Sequence, residues 1–439
     1  MSLEEENRLL KQENKRLTQE NEELKKRLGQ LEPVEIVQTT PFQHVDKLTN
    51  EEIRRFGRQL IIPNFGIENQ LKIRNKSFLL VGAGGLGSPC ALYLGAGGVG
   101  RLGIVDHDTV DISNLHRQVI HTEAREGVNK AVSAATAVRA IDSMVEVIPY
   151  TFTLDTTNAL DLIKQYDIII DATDNIATRY LLSDAAVLAG KPVVSGSALK
   201  VDGQLTIYNY KNGPCFRCLH PVPPPASSVS KCIDAGVLGV VPGVIGTLEA
   251  LEAMKVAIES PCLNDPSFLI FSALSNPMIR TMRLRNKKKD CVICGENPTM
   301  TELIDYVEFC NEQANDTVVE EHILEPHQRI EVEGYNDLIK QNKQHLLIDV
   351  RPQVQFNICS LPNSVHIPIE EFSTRLNDIK DMKTSQNISN DNVFVVCRLG
   401  NDSQLAVRMM EEQGIEGSRD IIGGLLNWST RIDPSFPIY

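Results

Sequence analysis

Apolar and polar positions follow three different rhythms along this chain. From residue 1 to 32 the period is seven. Leucine stands at 3, 10, 17, 24 and 31, and asparagine at 7, 14 and 21. With leucine at heptad position d, the asparagines fall at a and Glu6, Glu13 and Glu20 at g. Lys11 and Lys25 then take the e positions that Glu6 and Glu20 meet in a parallel dimer. The pattern predicts a coiled-coil helix over 1–32, ended by Pro33, whose asparagine layers fix register and lower stability. From 45 to 310, short apolar runs alternate with helical stretches. Lys76–Val81, Val99–Val105, Val145–Tyr150, Asp167–Ile170 and Pro192–Ser195 read as strands, which predicts an α/β domain with a mostly parallel sheet covered on both faces. Pro221–Ser230 interrupts it as a Pro/Ser-rich crossover loop. The acidic, polar stretch 313–325 reads as a linker to a smaller α/β unit over 322–439, with buried-type strands at Leu346–Val350 and Val393–Val396.

Composition narrows the class. A chain of 439 residues, 42% of them apolar, has room for two or three domains with cores of their own. The net charge of −13 argues against a general grip on nucleic acid, so no direct DNA binding is expected. There is no run of eighteen apolar residues, and the acidic, polar start is no secretory signal. Ten cysteines, four of them in metal-type pairs, suit a reducing compartment, and a soluble cytoplasmic protein is expected.

Three groups of residues carry chemistry. The strand ending at Val81 runs into Gly82-Ala-Gly-Gly-Leu-Gly87, and a helix pattern follows, so backbone amides and a helix start can approach phosphate. Asp106 ends the next strand, where an acid grips ribose hydroxyls. A dehydrogenase would carry the same parts. It would have no use for the cations Arg117 and Lys130, nor for a second acid at a strand end in Asp171-Ala-Thr-Asp-Asn175, which suit charge developing on phosphates. Two CxxC pairs, Cys215/Cys218 and Cys291/Cys294, have the spacing of a closed four-thiolate structural zinc site. Cys397 follows an apolar strand and opens Cys-Arg-Leu-Gly-Asn-Asp-Ser403 before a helix. Loop amides and the helix dipole are expected there to favour a thiolate. A phosphatase loop would carry Arg where Ser403 stands.

The stretch from Arg55-Phe-Gly-Arg-Gln59 through Gly82–Gly87, Asp106, Ser113-Asn-Leu-His-Arg117, Lys130, Asp174-Asn175 and both CxxC pairs resembles the adenylation domain of ubiquitin-like-protein activating enzymes over roughly residues 50–300. It is most similar to the branch of molybdopterin-synthase sulfurylases and thiamine-biosynthesis adenylyltransferases. The resemblance implies a homodimer using ATP and Mg²⁺, with one structural Zn²⁺ per subunit. Gly85, Asp106, Ser113, Asn114, Leu115, His116, Arg117, Lys130, Asp174 and Asn175 would line the nucleotide, Asp174 would hold the metal, and Arg58 would reach the neighbouring subunit's ATP. Asp349-Val-Arg351, Val365-His-Ile-Pro368, the Cys397 loop and Gly423-Gly-Leu-Leu-Asn-Trp428 resemble a rhodanese domain, in which the cysteine carries a persulfide. Gln355 stands where that family leads one to expect an acid. Cys232, beside Lys231 in a polar loop, matches the activating-enzyme cysteine. Cys90, Cys262, Cys310 and Cys359 read as structural or surface thiols.

Joined, the two resemblances imply an adenylyltransferase and sulfurtransferase. Its partner would be a small ubiquitin-like sulfur carrier ending in Gly–Gly, whose terminal carboxylate is adenylated. An upstream donor would load Cys397, and Cys232 would take a thioester or resolve an acyl disulfide. The product thiocarboxylate would serve wobble-uridine thiolation of tRNA, molybdopterin synthesis or both, and the carrier would also be conjugated to proteins. An activating enzyme handing on a thioester without sulfur transfer is the alternative, and an inactive scaffold is a third reading.

Overall fold

The computed structural model describes residues 15–16, 40–224, 235–311 and 322–439. The predicted coil over 1–32 (apart from 15–16), most of the crossover, Cys232 and the greater part of the linker lie outside the described residues. Among the described residues no helix is long and apolar enough to cross a membrane. The chain divides into two compact units, Met1–Asp316 and Thr317–Tyr439.

In the first unit, helix α1 (Asn50–Leu60) begins on a capping box. The Thr49 hydroxyl accepts from the Glu52 N–H at 3.2 Å, and the Glu52 carboxylate accepts from the Thr49 N–H at 2.7 Å. After α2 (Gly66–Arg74) come β1 (Ser77–Val81), α3 (Gly87–Ala96), β2 (Arg101–Val105), α4 (Lys130–Ile141), β3 (Glu146–Tyr150), α5 (Ala159–Lys164), β4 (Ile168–Asp171), α6 (Ile176–Ala189), β5 (Val193–Leu199), β6 (Asp202–Tyr208), α7 (Val240–Ala257), β7 (Ser267–Ser272) and β8 (Ile279–Arg283). They form one eight-stranded sheet in the order β3-β2-β1-β4-β5-β6-β7-β8. β3 through β5 in that order pair in parallel, and β5 through β8 pair antiparallel. The expected mostly parallel α/β sheet is present, with an antiparallel wing added.

The continuous apolar run of β1 follows from burial on both faces. Phe78 and Leu80 point to the face covered by α3, α4 and α7, while Leu79 and Val81 point to the face covered by α5 and α6. Strand alternation thus feeds two cores from one segment.

The second unit is a five-stranded sheet, β11-β10-β12-β13-β9, with every pairing parallel. Its strands are β9 (Arg329–Ile330), β10 (Leu346–Asp349), β11 (Val365–His366), β12 (Val393–Val396) and β13 (Arg419–Ile421), and its main helices are α8 (Val332–Lys340), α9 (Leu376–Ser385), α10 (Asp402–Glu412) and α11 (Gly424–Arg431). Ile348 and Val395 meet α9 and α10 on one face, and Leu347 and Phe394 meet α8 and α11 on the other.

Candidate functional site

The chain leaves β1 toward β2 and β3, then returns to β1's other side for β4. This reversal puts the topological switch point at the carboxyl ends of β1 and β4, where open α/β sheets take their ligands. The glycine loop sits there. Gly82 has φ +97°, and a Cβ on it would stand 2.6 Å from the Ala172 carbonyl oxygen at the end of β4. A Cβ on Gly87 would stand 1.9 Å from the Gly82 carbonyl oxygen. Only glycine closes this turn.

Asp106 follows β2. Its Oδ2 accepts from the Ala83 N–H at 2.7 Å and its Oδ1 from the Asp108 N–H at 2.9 Å, so the acid braces the loop. Burial pushes its carboxyl above the ordinary range, and nearby Lys130 opposes that shift. Lys130 opens α4, only 7% exposed, with its ammonium 2.9 Å from Asp108. Asn129 caps the same helix through Oδ1, while its Nδ2 donates to the carbonyls of Asp106 and Asp108. Gly85, Arg117 and Pro242 converge: a Cβ on Gly85 would meet Pro242 at 3.1 Å and Arg117 Cγ at 3.5 Å. The Arg117 guanidinium donates to Asn114 Oδ1 and lies 3.4 Å from His116 Nε2. The Ser113 hydroxyl is turned onto Asp111. Leu115 is half-buried.

At the end of β4, Asp171 is buried and takes bonds from Thr173 at 2.6 Å and Ser195 at 2.7 Å. Asp174 is exposed, and Asn175 caps α6 through the Thr178 N–H. Arg179 ties this loop to β5 by donating to the carbonyls of Thr173 and Gly196. Arg58 lies exposed in the last turn of α1.

Sequence reasoning missed His121. The ring is buried, with Nε2 2.9 Å from the Ala83 carbonyl oxygen and Nδ1 2.8 Å from Ser133 Oγ. A carbonyl only accepts, so Nε2 carries the proton and Nδ1 accepts from the hydroxyl. Burial lowers its pKa to about 4. Asp108 was missed as well. The Asn129-Lys130 pair, a capping residue before a helix start, was the signal that pointed near it.

The four cysteines of the CxxC pairs come together. Sulfur separations are 3.7 Å for Cys215–Cys218, 3.6 Å for Cys215–Cys291 and 3.4 Å for Cys218–Cys294. Zinc bound to four thiolates spans sulfur–sulfur edges of about 3.8 Å, given bonds of ~2.3 Å, so the donor set and its size fit a closed zinc site. The Lys288 N–H donates to Cys218 Sγ at 3.4 Å. A buried knot supports the first pair: Arg217 binds Asp184 at 2.8 Å, the Tyr306 hydroxyl donates to Asp184 at 2.8 Å, and the guanidinium lies 4.5 Å from the Phe309 ring centre.

Cys397 follows β12, and its Sγ is buried. The Gly400 N–H points at the sulfur from 3.1 Å and the Ser403 hydroxyl from 3.4 Å. The expectation of a thiolate-favouring loop needs correction for this resting state. Burial raises the thiol's pKa, with Asp402 adding to it, and outweighs the bonds from Ser403 and Gly400. Asp349 and Arg351 form a buried ion pair at 2.6 Å, at the end of the strand beside β12. Gln355, where an acid was expected, accepts from the Tyr439 hydroxyl at 3.3 Å. Cys90 and Cys310 are core residues, Cys262 is exposed and Cys359 half-buried.

Residues 56–293 match the ThiF family, and 331–431 match the rhodanese-like domain. A protein of Danio rerio named adenylyltransferase and sulfurtransferase MOCS3 is 45% identical over 95% of each chain. One of the same name from Aedes aegypti is 47% identical over 90% of this chain and 91% of its own. Among solved structures, E. coli MccB with MccA-N7isoASN aligns at 20% identity and a TM-score of 0.48, covering 55% of this chain and 74% of that one.

Proposed function

Starting from the fact that the chain belongs to the ThiF family and carries a rhodanese-like domain behind it, we propose that it adenylates the C-terminal glycine of a small ubiquitin-like sulfur carrier with ATP and then converts that carboxylate to a thiocarboxylate. One observation carries the reading. A single chain holds both a glycine loop braced by Asp106 beside Lys130, and a cysteine whose sulfur is met by a loop amide.

Gly82–Gly87 and the start of α3 accept the phosphates, and Asp106 the ribose. Arg117 and Lys130 of the same subunit, with Arg58 of a second copy in a homodimer, offset charge on the pyrophosphate as it leaves. Lys130 is held for this by Asp108, which keeps a buried ammonium paired until a phosphate competes for it. Asp174 would hold Mg²⁺, which neutralises phosphate charge when bound. Ser113, Asn114, Leu115, His116 and Asn175 complete the lining. Cys215, Cys218, Cys291 and Cys294 would hold one Zn²⁺ per subunit, closed to substrate.

The partner's carboxylate oxygen attacks the α-phosphorus, and pyrophosphate departs. A persulfide on Cys397, loaded by an upstream donor, supplies its terminal sulfur to the activated carbonyl, and AMP leaves. Cys232 acts either before or after this step. Before it, Cys232 takes the acyl group from the adenylate as a thioester with loss of AMP, and the persulfide then attacks. After it, Cys232 attacks the Cys397 sulfur of the acyl disulfide, so that the thiocarboxylate leaves and a Cys232–Cys397 disulfide remains for a thiol reductant to open. The thiocarboxylate serves tRNA thiolation, molybdopterin synthesis or both. The test is carrier-dependent ATP–pyrophosphate exchange, followed by the mass of the carrier's C-terminus. Exchange with an unchanged C-terminus would favour the alternative, thioester handover without sulfur transfer.

A further inference from the structure

The glycine loop divides its backbone amides between the protein and the space in front of it. The Gly82 N–H donates to the Val105 carbonyl at 2.9 Å and the Ala83 N–H to Asp106 at 2.7 Å. The next two amides are left over. Among the described residues nothing accepts from the N–H of Gly84 or of Gly85, and both residues are half-buried. The direction of the Gly84 N–H is set by the group behind it. The Ala83–Gly84 peptide is trans, so the Ala83 carbonyl and the Gly84 N–H point in opposite directions within one plane. His121 draws that carbonyl inward, its Nε2–H donating at 2.9 Å from a ring only 5% exposed. The Gly84 N–H is thereby turned away from the core, toward the mouth of the loop. The ring is fixed in turn from α4. Arg125 donates to Ser133 Oγ at 3.1 Å, and a guanidinium only donates, so the Ser133 hydroxyl proton is committed to His121 Nδ1 at 2.8 Å. Each bond polarises the next along the line from Arg125 to the loop.

We infer that His121 is a positioning residue for the nucleotide: through the Ala83 carbonyl it aims the Gly84 N–H at a phosphate oxygen of ATP. The inference rests on the adenylation reading above. The ring lies behind the loop and acts only through the peptide in front of it. An amide whose direction is already set has little freedom left to lose when phosphate arrives, and it meets the anion with a charge-assisted bond. Without the ring the buried carbonyl has no donor, which favours rotating it outward to water. Gly84, having no Cβ, permits that rotation. The phosphate would then face the negative end of the peptide.

The test uses the full-length protein, ATP with Mg²⁺, and the carrier. In carrier-dependent ATP–pyrophosphate exchange, His121→Leu should raise KM for ATP about tenfold with kcat within about threefold. The inhibition constant of adenosine, which offers base and ribose but no phosphate, should stay within about twofold. His121→Gln, whose amide can still donate to Ala83 and accept from Ser133, should recover most of the loss. Four results overturn the inference: an unchanged KM for ATP in His121→Leu, a loss confined to kcat, adenosine weakened as much as ATP, or an equal loss in His121→Gln. If His121→Leu fails to fold, Ser133→Ala decides. It frees the ring to take its other tautomer, so KM for ATP should rise about threefold with adenosine unmoved, and an unchanged KM overturns the inference. Wild-type protein without carrier-dependent exchange would sink the adenylation reading and this inference together, whereas normal wild-type exchange with indifferent His121 variants sinks only the inference.

Discussion

Two buried side chains carry opposite lessons about protonation. Cys397 is pushed toward its neutral thiol by burial, so its reactivity has to come from the amide and hydroxyl that wait at the sulfur once the charge forms. Cys397→Ala should keep carrier-dependent ATP–pyrophosphate exchange and lose thiocarboxylate formation, read by mass of the carrier. A thiocarboxylate at normal yield with the native donor alone would contradict the assignment. Asp174→Ala should do the reverse, losing exchange while Cys397 still accepts a persulfide. His121 is held neutral with a pKa of about 4, below the ~6.5 of an unfolded histidine. Its sign is that of a depressed base: the unfolded chain takes the proton first, so the stability this group gives is present above pH 6.5 and lost as pH falls toward 4. Between pH 7 and 4.5 it should account for roughly 2–3 kcal/mol of the wild type's fall in urea stability. That portion of the slope should be missing in His121→Gln, and a parallel slope in the two proteins would refute it. His121 was illegible in the sequence because its two partners, Ala83 and Ser133, lie on either side of it in the chain, in different elements.

At the scale of elements, legibility followed burial. β12 was read at its observed bounds and β1 to within one residue, because strands buried on both faces leave unbroken apolar runs. β8 is exposed along its whole length and reads Ile-Arg-Thr-Met-Arg, and β6 mixes Asp202, Gln204 and Thr206 into its pattern. In the antiparallel wing they build, only β7 carries an unbroken apolar run, Phe268–Phe271, and it went unread. The glycine loop was legible because its glycines answer backbone contacts, and those contacts yield a prediction of opposite signs. Gly87→Ala puts a Cβ into the Gly82 carbonyl and should cost about 2–4 kcal/mol of stability, weakening ATP binding with it. Gly57→Ala, inside α1 with nothing near its Cβ position, should be neutral or stabilise by up to ~1 kcal/mol. Urea titration of both variants checks the pair. Two losses of equal size would mean the loop's closeness is not what matters.

For the whole molecule, the three rhythms in the sequence correspond to a predicted coil and two compact units, each unit with its own sheet. Three asparagine layers make the predicted coil a weak dimer contact. Deleting residues 1–32 should leave a dimer with working adenylation, and sedimentation of the truncated chain as a monomer would overturn that. The cysteine cluster joins positions 76 residues apart, and the span between them contains α7, β7 and β8. Bound metal would therefore turn an open chain into a ring. A ring of that size loses much of its freedom while still unfolded, by about 4 kcal/mol on the chain-entropy view of cross-links. Such a clamp would act on the disordered state more than on the ordered one, by taking entropy from it. With metal bound, it would keep β7 and β8 within reach of the rest of the sheet while the chain searches, a constraint that chelation would remove.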